Sequence, residues 1–178
     1  MQGKKMMSKT KKYSCIVING RFLEQKITGV QRFALETIKA LDDFAADSSL
    51  PYILAVPPSL SEKALPELKH IKIERPGSFK GILWEQTQFV SYLRKKHALV
   101  INLCSVTTLF YKHSIVCLHD ICYTLHPEFI SSKNKLVRRW HMLQDKIGAK
   151  KSLKVLTVSN FCRQEIIQHF NLPSDRLL

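Results

Sequence analysis

Short aliphatic runs that recur along the chain constrain its fold more than any other feature. They are "YSCIVIN" (13–19), "YILAV" (52–56), "IKI" (71–73), "ALVINL" (98–103), "SIVCLHD" (114–120) and "KVLTVS" (154–159). Most are continuous rather than alternating in polarity, which is the pattern of strands buried on both faces. Helical periodicity fills the gaps. Val30, Phe33, Ala34, Thr37, Ile38 and Leu41 predict one apolar helix face, and Thr28 with Gln31 predicts a capping box at its start. Residues 61–68 read as a short helix limited by Pro66. A further helix is expected over 82–96, with Ile82, Leu83, Gln86, Phe89, Val90 and Leu93 on one side. A basic helix follows over 133–151, with Leu136, Trp140, Leu143 and Ile147 spaced along it. Ser159 is placed to cap a last helix over 160–170. Strands alternating with helices predict an α/β fold, a Rossmann-like doubly wound parallel sheet with helices on both faces.

Such sheets bind ligands beyond the carboxyl ends of their strands. That rule gathers residues 19–29, 102–105, 119–122 and Ser159 at one rim. The stretch "CLHDICYTLH" (117–126) lies there and admits two readings. Cys117, His119, Cys122 and His126 are competent zinc ligands, but their spacing lacks a matching second pair, and Cys117 belongs to an apolar run. The alternative is a buried strand whose polar end, His119 and Asp120, faces the crevice; a surface His-Asp pair with no role fits the pattern equally well. Gly29 opens a helix just after the first strand and loop, where free N–H groups favour a phosphate. A simple capped helix explains it too, since neither GxGxxG nor a GKS/GKT follows.

The formal net charge is +14, with 28 basic and 14 acidic residues in 178. That balance predicts attraction to anions: nucleic acid, an anionic membrane or phosphorylated small molecules. The basic residues fall at Lys4, Lys5, Lys9, Lys11 and Lys12, at "RKKH" (94–97), and through 133–154. Residues 1–12 read as a disordered basic arm. There are five cysteines, an odd number, and Cys15, Cys104, Cys117 and Cys162 sit in or beside apolar runs. With no secretory signal and no run approaching a membrane span, a reduced, cytoplasmic protein is expected.

Taken in order, "INGRFLEQKITGVQRFALETIKALD", "LWEQTQF", "INLCS", "VCLHDICYTLHPEFIS" and "VLTVSNFCRQEII" resemble the N-terminal half of glycosyltransferase family 4 enzymes. The similarity is to the bacterial mannosyl- or rhamnosyltransferase branch with a "TGVQRY"-like motif, and it covers roughly residues 14–172. It implies the first of two Rossmann-like lobes (the GT-B architecture) over residues 13–172. By resemblance, Thr28 and Gly29 would lie against donor phosphates and His119 would hydrogen-bond the transferred sugar. Asp120 would orient its loop, Arg32 would face an acceptor phosphate, Asn102 and Ser105 would line the acceptor side, and Ser159 would join the rim. A nucleotide sugar would be co-substrate, with no metal or other cofactor. The acceptor would be lipid-linked or glycan, met at the inner membrane face, with 94–97 or 133–154 as the docking surface. In the family a second lobe holds the nucleotide sugar. Residues 173–178 are therefore expected to begin an inter-lobe hinge, and these residues alone to lack appreciable transferase activity, the missing lobe being a separate chain or a lost part. Two other classes compete. A basic nucleic-acid-binding domain suits the charge but shows no recognised motif, so nucleic acid is not the expected partner. The other is a non-catalytic scaffold.

Overall fold

A computed structural model describes residues 12–126 and 135–178. The expected basic arm, apart from Lys12, lies outside the described residues, as do residues 127–131 of the "HPEFIS" motif. Six strands form one sheet: β1 (Cys15–Asn19), β2 (Tyr52–Ala55), β3 (Lys72–Glu74), β4 (Ala98–Asn102), β5 (Ser114–Cys117) and β6 (Lys154–Leu156). Their order is β3-β2-β1-β4-β5-β6, and every pairing is parallel. The chain winds outward from β1 to β3, then returns to start β4 on the other side of β1. The switch point therefore falls between β1 and β4, where a doubly wound sheet opens a crevice.

Parity along the strands divides the core. Cys15 and Val17 of β1, Ile53 and Ala55 of β2, and Ala98 and Val100 of β4 face one layer. That layer contains Phe89, Val90 and Leu93 of helix α3 (Phe89–Lys95). Ile18, Tyr52 and Leu54 turn the other way, onto Ala34 and Ile38 of α1 (Gly29–Ala45). Both faces are thus covered, as continuous aliphatic strands require. Helix α1 keeps its capping box, with Gln31 Oε1 accepting the Thr28 N–H at 3.2 Å. One apolar residue assigned to its core face departs: Phe33 is 39% exposed. The buried stripe runs instead through Ala34, Ile38 and Asp42. Asp42 accepts the backbone N–H groups of Lys69, His70 and Ile71 at 2.6, 2.9 and 2.7 Å. Burial pushes its carboxyl pKa up, but those three donors win and hold it below the usual value. The short helix expected over 61–68 is only a 3-10 turn, Glu62–Ala64. Leu65 is extended (ψ 138°), as the residue before a proline prefers.

The helix expected over 82–96 is broken in register. Helix α2 (Gly81–Leu83) runs into a π segment, Trp84–Gln88, and only then into α3. The extra residue turns Ile82 and Leu83 outward and brings Trp84 and Glu85 into the interior together. Trp84 Nε1 donates to the Pro76 carbonyl at 2.6 Å. Gln86 Nε2 donates to the Thr107 carbonyl at 3.0 Å, and its Oε1 accepts the Leu109 N–H at 2.9 Å.

Helix α5 (Lys135–Lys151) also presents a different face from the one expected. Leu136 is 72% exposed and Leu143 is exposed, while Gln144, Asp145, Gly148 and Ala149 are buried. Small residues let the helix approach Val116 and Leu118 closely, and the polar pair finds partners inside. Helix α6 (Asn160–Phe170) begins as expected, with Ser159 Oγ accepting the Cys162 N–H at 3.1 Å. Leu172 and Leu177 pack with Val155, Ile166 and Phe170 at the β6 edge. Among the described residues no helix is long and apolar enough to cross a membrane.

Glu85 is fully buried, and its Oε1 lies 2.9 Å from Arg21 Nε. Removing one member of a buried ion pair leaves the other charge uncompensated. Arg21→Ala is therefore expected to lower unfolding free energy by roughly 3–5 kcal/mol in a urea titration. A conventional surface arginine such as Arg32 is expected to cost less than about 0.5 kcal/mol.

Candidate functional site

The strands "CIVIN" and "ALVIN" both end in asparagine, and the sheet sets the two side by side. Asn19 and Asn102 carry on the rows of Val17 and Val100, so their side chains leave the hydrophobic layer at the carboxyl edge of the switch point. Asn19 Nδ2 donates to Asn102 Oδ1 at 3.0 Å and to Glu85 Oε1 at 2.8 Å. Asn19 Oδ1 accepts the Arg21 N–H at 3.1 Å. Between them, Gly20 permits a close crossing over β2: a Cβ there would stand 2.6 Å from Val56 and 2.8 Å from the Ala55 carbonyl oxygen.

Above this buried network lies a cleft of 630 Å³. Thr28, Val30 and Gln31 at the start of α1 line it, as do Ser105 after β4 and His119 and Asp120 after β5. The His119 ring is pinned: its Nε2 donates to the Leu103 carbonyl at 2.8 Å. A carbonyl only accepts, so that bond puts a proton on Nε2 and leaves Nδ1 for a ligand. The Phe33 ring meets the imidazole edge-to-face, with centroids 4.9 Å apart, which accounts for a phenylalanine left outside the core. Ser105 is left-handed (φ 48°), an uncommon state for a non-glycine residue. It is held there by its N–H to the Cys117 carbonyl at 3.0 Å, while its Oγ accepts the His119 N–H at 3.2 Å. Asp120 Oδ1 accepts the Cys122 N–H at 3.0 Å, fixing the turn into the short helix α4 (Cys122–Leu125).

The expected site residues divide on position. Thr28, Ser105, His119 and Asp120 line the cleft, and Gly29 sits between two lining residues, where an added Cβ would meet only open space. Asn102 does not line it; it is fully buried in the network beneath. Arg32 projects from α1 as an exposed residue that is not part of the lining. Ser159 caps α6 and borders a separate hollow with Thr157 and Arg163. The zinc reading fails at its first ligand. Cys117 lies in the core, and burial pushes its thiol pKa up to about 12. Among the described residues no cluster of three His, Cys, Asp or Glu side chains is arranged to hold a metal ion. All five cysteines are free, and Cys162 is only half-buried.

Sequence reasoning placed Arg21 at the rim only within the span 19–29 and passed over the rest of the other half of the lining. That rest includes Tyr123 and several residues of α5, among them Trp140, His141, Gln144 and Asp145. Tyr123 stacks on His141 at 4.6 Å. Burial, with the Arg21 charge nearby, holds the His141 pKa below its usual value. Asp145 Oδ2 accepts the Thr124 hydroxyl at 3.0 Å. Its carboxyl pKa is pushed up to about 7 by burial; the Thr124 bond opposes this and the Asp120 charge adds to it. No protein-family model matches the chain, and no curated protein matches its sequence.

The Asp145 shift has a definite sign in stability. The folded state keeps a proton that the unfolded chain has released, so stability falls as pH rises from about 4 to about 7. Asp145→Asn is expected to remove that slope. The variant should gain on the order of a few kcal/mol relative to wild type between the two ends of the window. Urea midpoints measured across pH check this; parallel pH profiles for the two proteins would contradict it.

Proposed function

We propose that this chain is the acceptor-side lobe of a retaining glycosyltransferase of the GT-B type. It would serve transfer of a mannose- or rhamnose-type sugar from a nucleotide sugar to a lipid-linked or glycan acceptor. The observation that carries the reading is the shared cleft. The α1 N-terminus and the pinned His119 line one cavity at the carboxyl edge of a parallel sheet. Glycosyl transfer must stabilise a departing diphosphate and an oxocarbenium-like sugar. The amino end of α1 suits the diphosphate, and the open space at Gly29 lets an oxygen approach the backbone. His119 Nδ1, held in place by the Leu103 bond, suits a sugar hydroxyl. In this reading the donor is gripped mainly by a second lobe, and the present chain closes over its phosphates and transferred sugar.

Nuclear magnetic resonance with millimolar nucleoside-diphosphate hexoses tests the proposal. The expected result is shifts concentrated at the amides of residues 28–31 and at His119, with affinity about tenfold weaker in His119→Ala. Shifts that avoid both places, or an unchanged affinity in the variant, would contradict it.

A membrane-facing surface belongs to the same proposal. Arg94 and Lys151, one from each of the basic runs at 94–97 and 133–154, meet at the amino edge of the sheet. There Arg94, Lys112, His113 and Lys151 line one hollow with Phe110, which is 67% exposed. Each basic residue near an anionic bilayer contributes roughly 1 kcal/mol, and an exposed aromatic adds an apolar anchor. The chain is expected to sediment with phosphatidylglycerol vesicles and not with phosphatidylcholine ones, and to lose that binding when Arg94, Lys112 and Lys151 are changed to Glu. Equal sedimentation with both lipids would remove this part of the proposal.

A further inference from the structure

The α5 side of the cleft has a chemistry of its own. Arg21 is the one Arg or Lys among the described lining residues, and it is engaged with Glu85. A phosphate placed beside α5 would face Asp120 and Asp145, with no Arg or Lys of α5 among the described lining residues. What α5 does offer is an aromatic ring, an amide and a carboxyl. Trp140 is half-buried and lines the cavity, next to the stacked Tyr123 and His141. Gln144 is 1% exposed. Its Oε1 accepts the Thr107 N–H at 2.7 Å, which locks the side chain, and its Nε2 is a buried donor with no partner among the described residues. A locked, unsatisfied donor in the wall of a cavity costs free energy until an acceptor arrives. Asp145 gives Oδ2 to Thr124 and holds its proton to an unusually high pH, so the carboxyl can both donate and accept.

We propose that the α5 side of the cleft is a subsite for a neutral pyranose ring, with Trp140 as its platform and Gln144 and Asp145 as its hydrogen-bonding edge. The ring would be the terminal sugar of the acceptor, so this assignment rests on the glycosyltransferase reading above. A pyranose presents C–H groups on one face, which suit an aromatic ring. At its edge it presents hydroxyls that donate and accept at once, matching an orphan amide N–H and a protonated carboxyl. The cleft then has two ends of different character: a helix N-terminus with His119 for the diphosphate side, and an uncharged aromatic and amide wall for a sugar.

The chain's two tryptophans make the test self-controlled. Trp84 is fully buried with its indole N–H bonded to Pro76, whereas Trp140 lines the cleft. Methyl glycosides of mannose, glucose, galactose and rhamnose are titrated into the full chain at millimolar concentration, and the indole N–H and Gln144 side-chain amide signals are followed, with Trp140→Phe for assignment. At least one glycoside is expected to move the Trp140 and Gln144 signals and leave Trp84 in place. Asp145→Leu should weaken it roughly tenfold, and Asp145→Asn less than about threefold. Absence of any Trp140 or Gln144 response in wild type would overturn the subsite, as would an unchanged affinity in Asp145→Leu. If Asp145→Leu does not fold, the wild-type mapping decides alone. A nucleotide sugar titrated in parallel separates the two claims. Shifts at residues 28–31 without any glycoside response would sink the subsite and spare the function, and the reverse would sink the function.

Discussion

A single buried carboxylate organises the carboxyl edge of this sheet. Glu85 has no access to solvent, so its charge must be met inside, and Arg21 and Asn19 meet it. Those contacts tie three separated parts of the chain together: the segment leaving β1, the end of β4 through Asn102, and the π segment before α3. The π segment carries both Trp84 and Glu85 inward, one into the apolar layer and the other into the polar network. The π segment therefore joins the polar network to the apolar packing.

The cleft inherits its geometry from that anchor. Arg21 stands in its wall because its side chain is drawn to Glu85, and the loop that follows delivers Thr28 to the same cavity. On the far strands, Ser105 and His119 brace one another: the left-handed serine accepts the histidine N–H, and the imidazole is fixed on the Leu103 carbonyl. Groups held this way lose little entropy on meeting a ligand. Among the described residues, Arg21 is the one Arg or Lys in the cleft lining. Among the described residues, cationic side chains gather at the opposite edge, around Arg94, Lys112 and Lys151, so the cleft and this basic hollow lie apart.

The sheet could be read from the sequence because parallel strands buried on both faces must be continuously aliphatic, and every such run holds a strand whose ends lie within three residues of its own. The start of α6 was legible for a local reason, a serine hydroxyl with an N–H to accept. The start of α1 was legible from the reciprocal Thr28 and Gln31 pattern. The π segment was not, since a fixed period of 3.6 residues cannot register an insertion that serves a distant arginine. Helix α5 misled for another reason. Its buried face is Gln144, Asp145, Gly148 and Ala149, which carry little hydrophobic signal, while its leucines point outward. Half of the cleft was hidden with it. A lone aspartate in a basic helix looks solvated until the Thr124 hydroxyl and the depth of burial are known. Asn102 shows the converse: a polar strand end was legible, but its neighbour Asn19 rather than a ligand claims it.

Crystals soaked in inorganic diphosphate put the central claim to its most direct test, because the molecule offers the anion two very different places. The account places the diphosphate at the N-terminus of α1, within hydrogen-bonding distance of the backbone N–H groups of residues 29 and 30, in the cleft that His119 also lines. Density confined to the hollow of Arg94, Lys112 and Lys151, with the cleft unchanged, would contradict it.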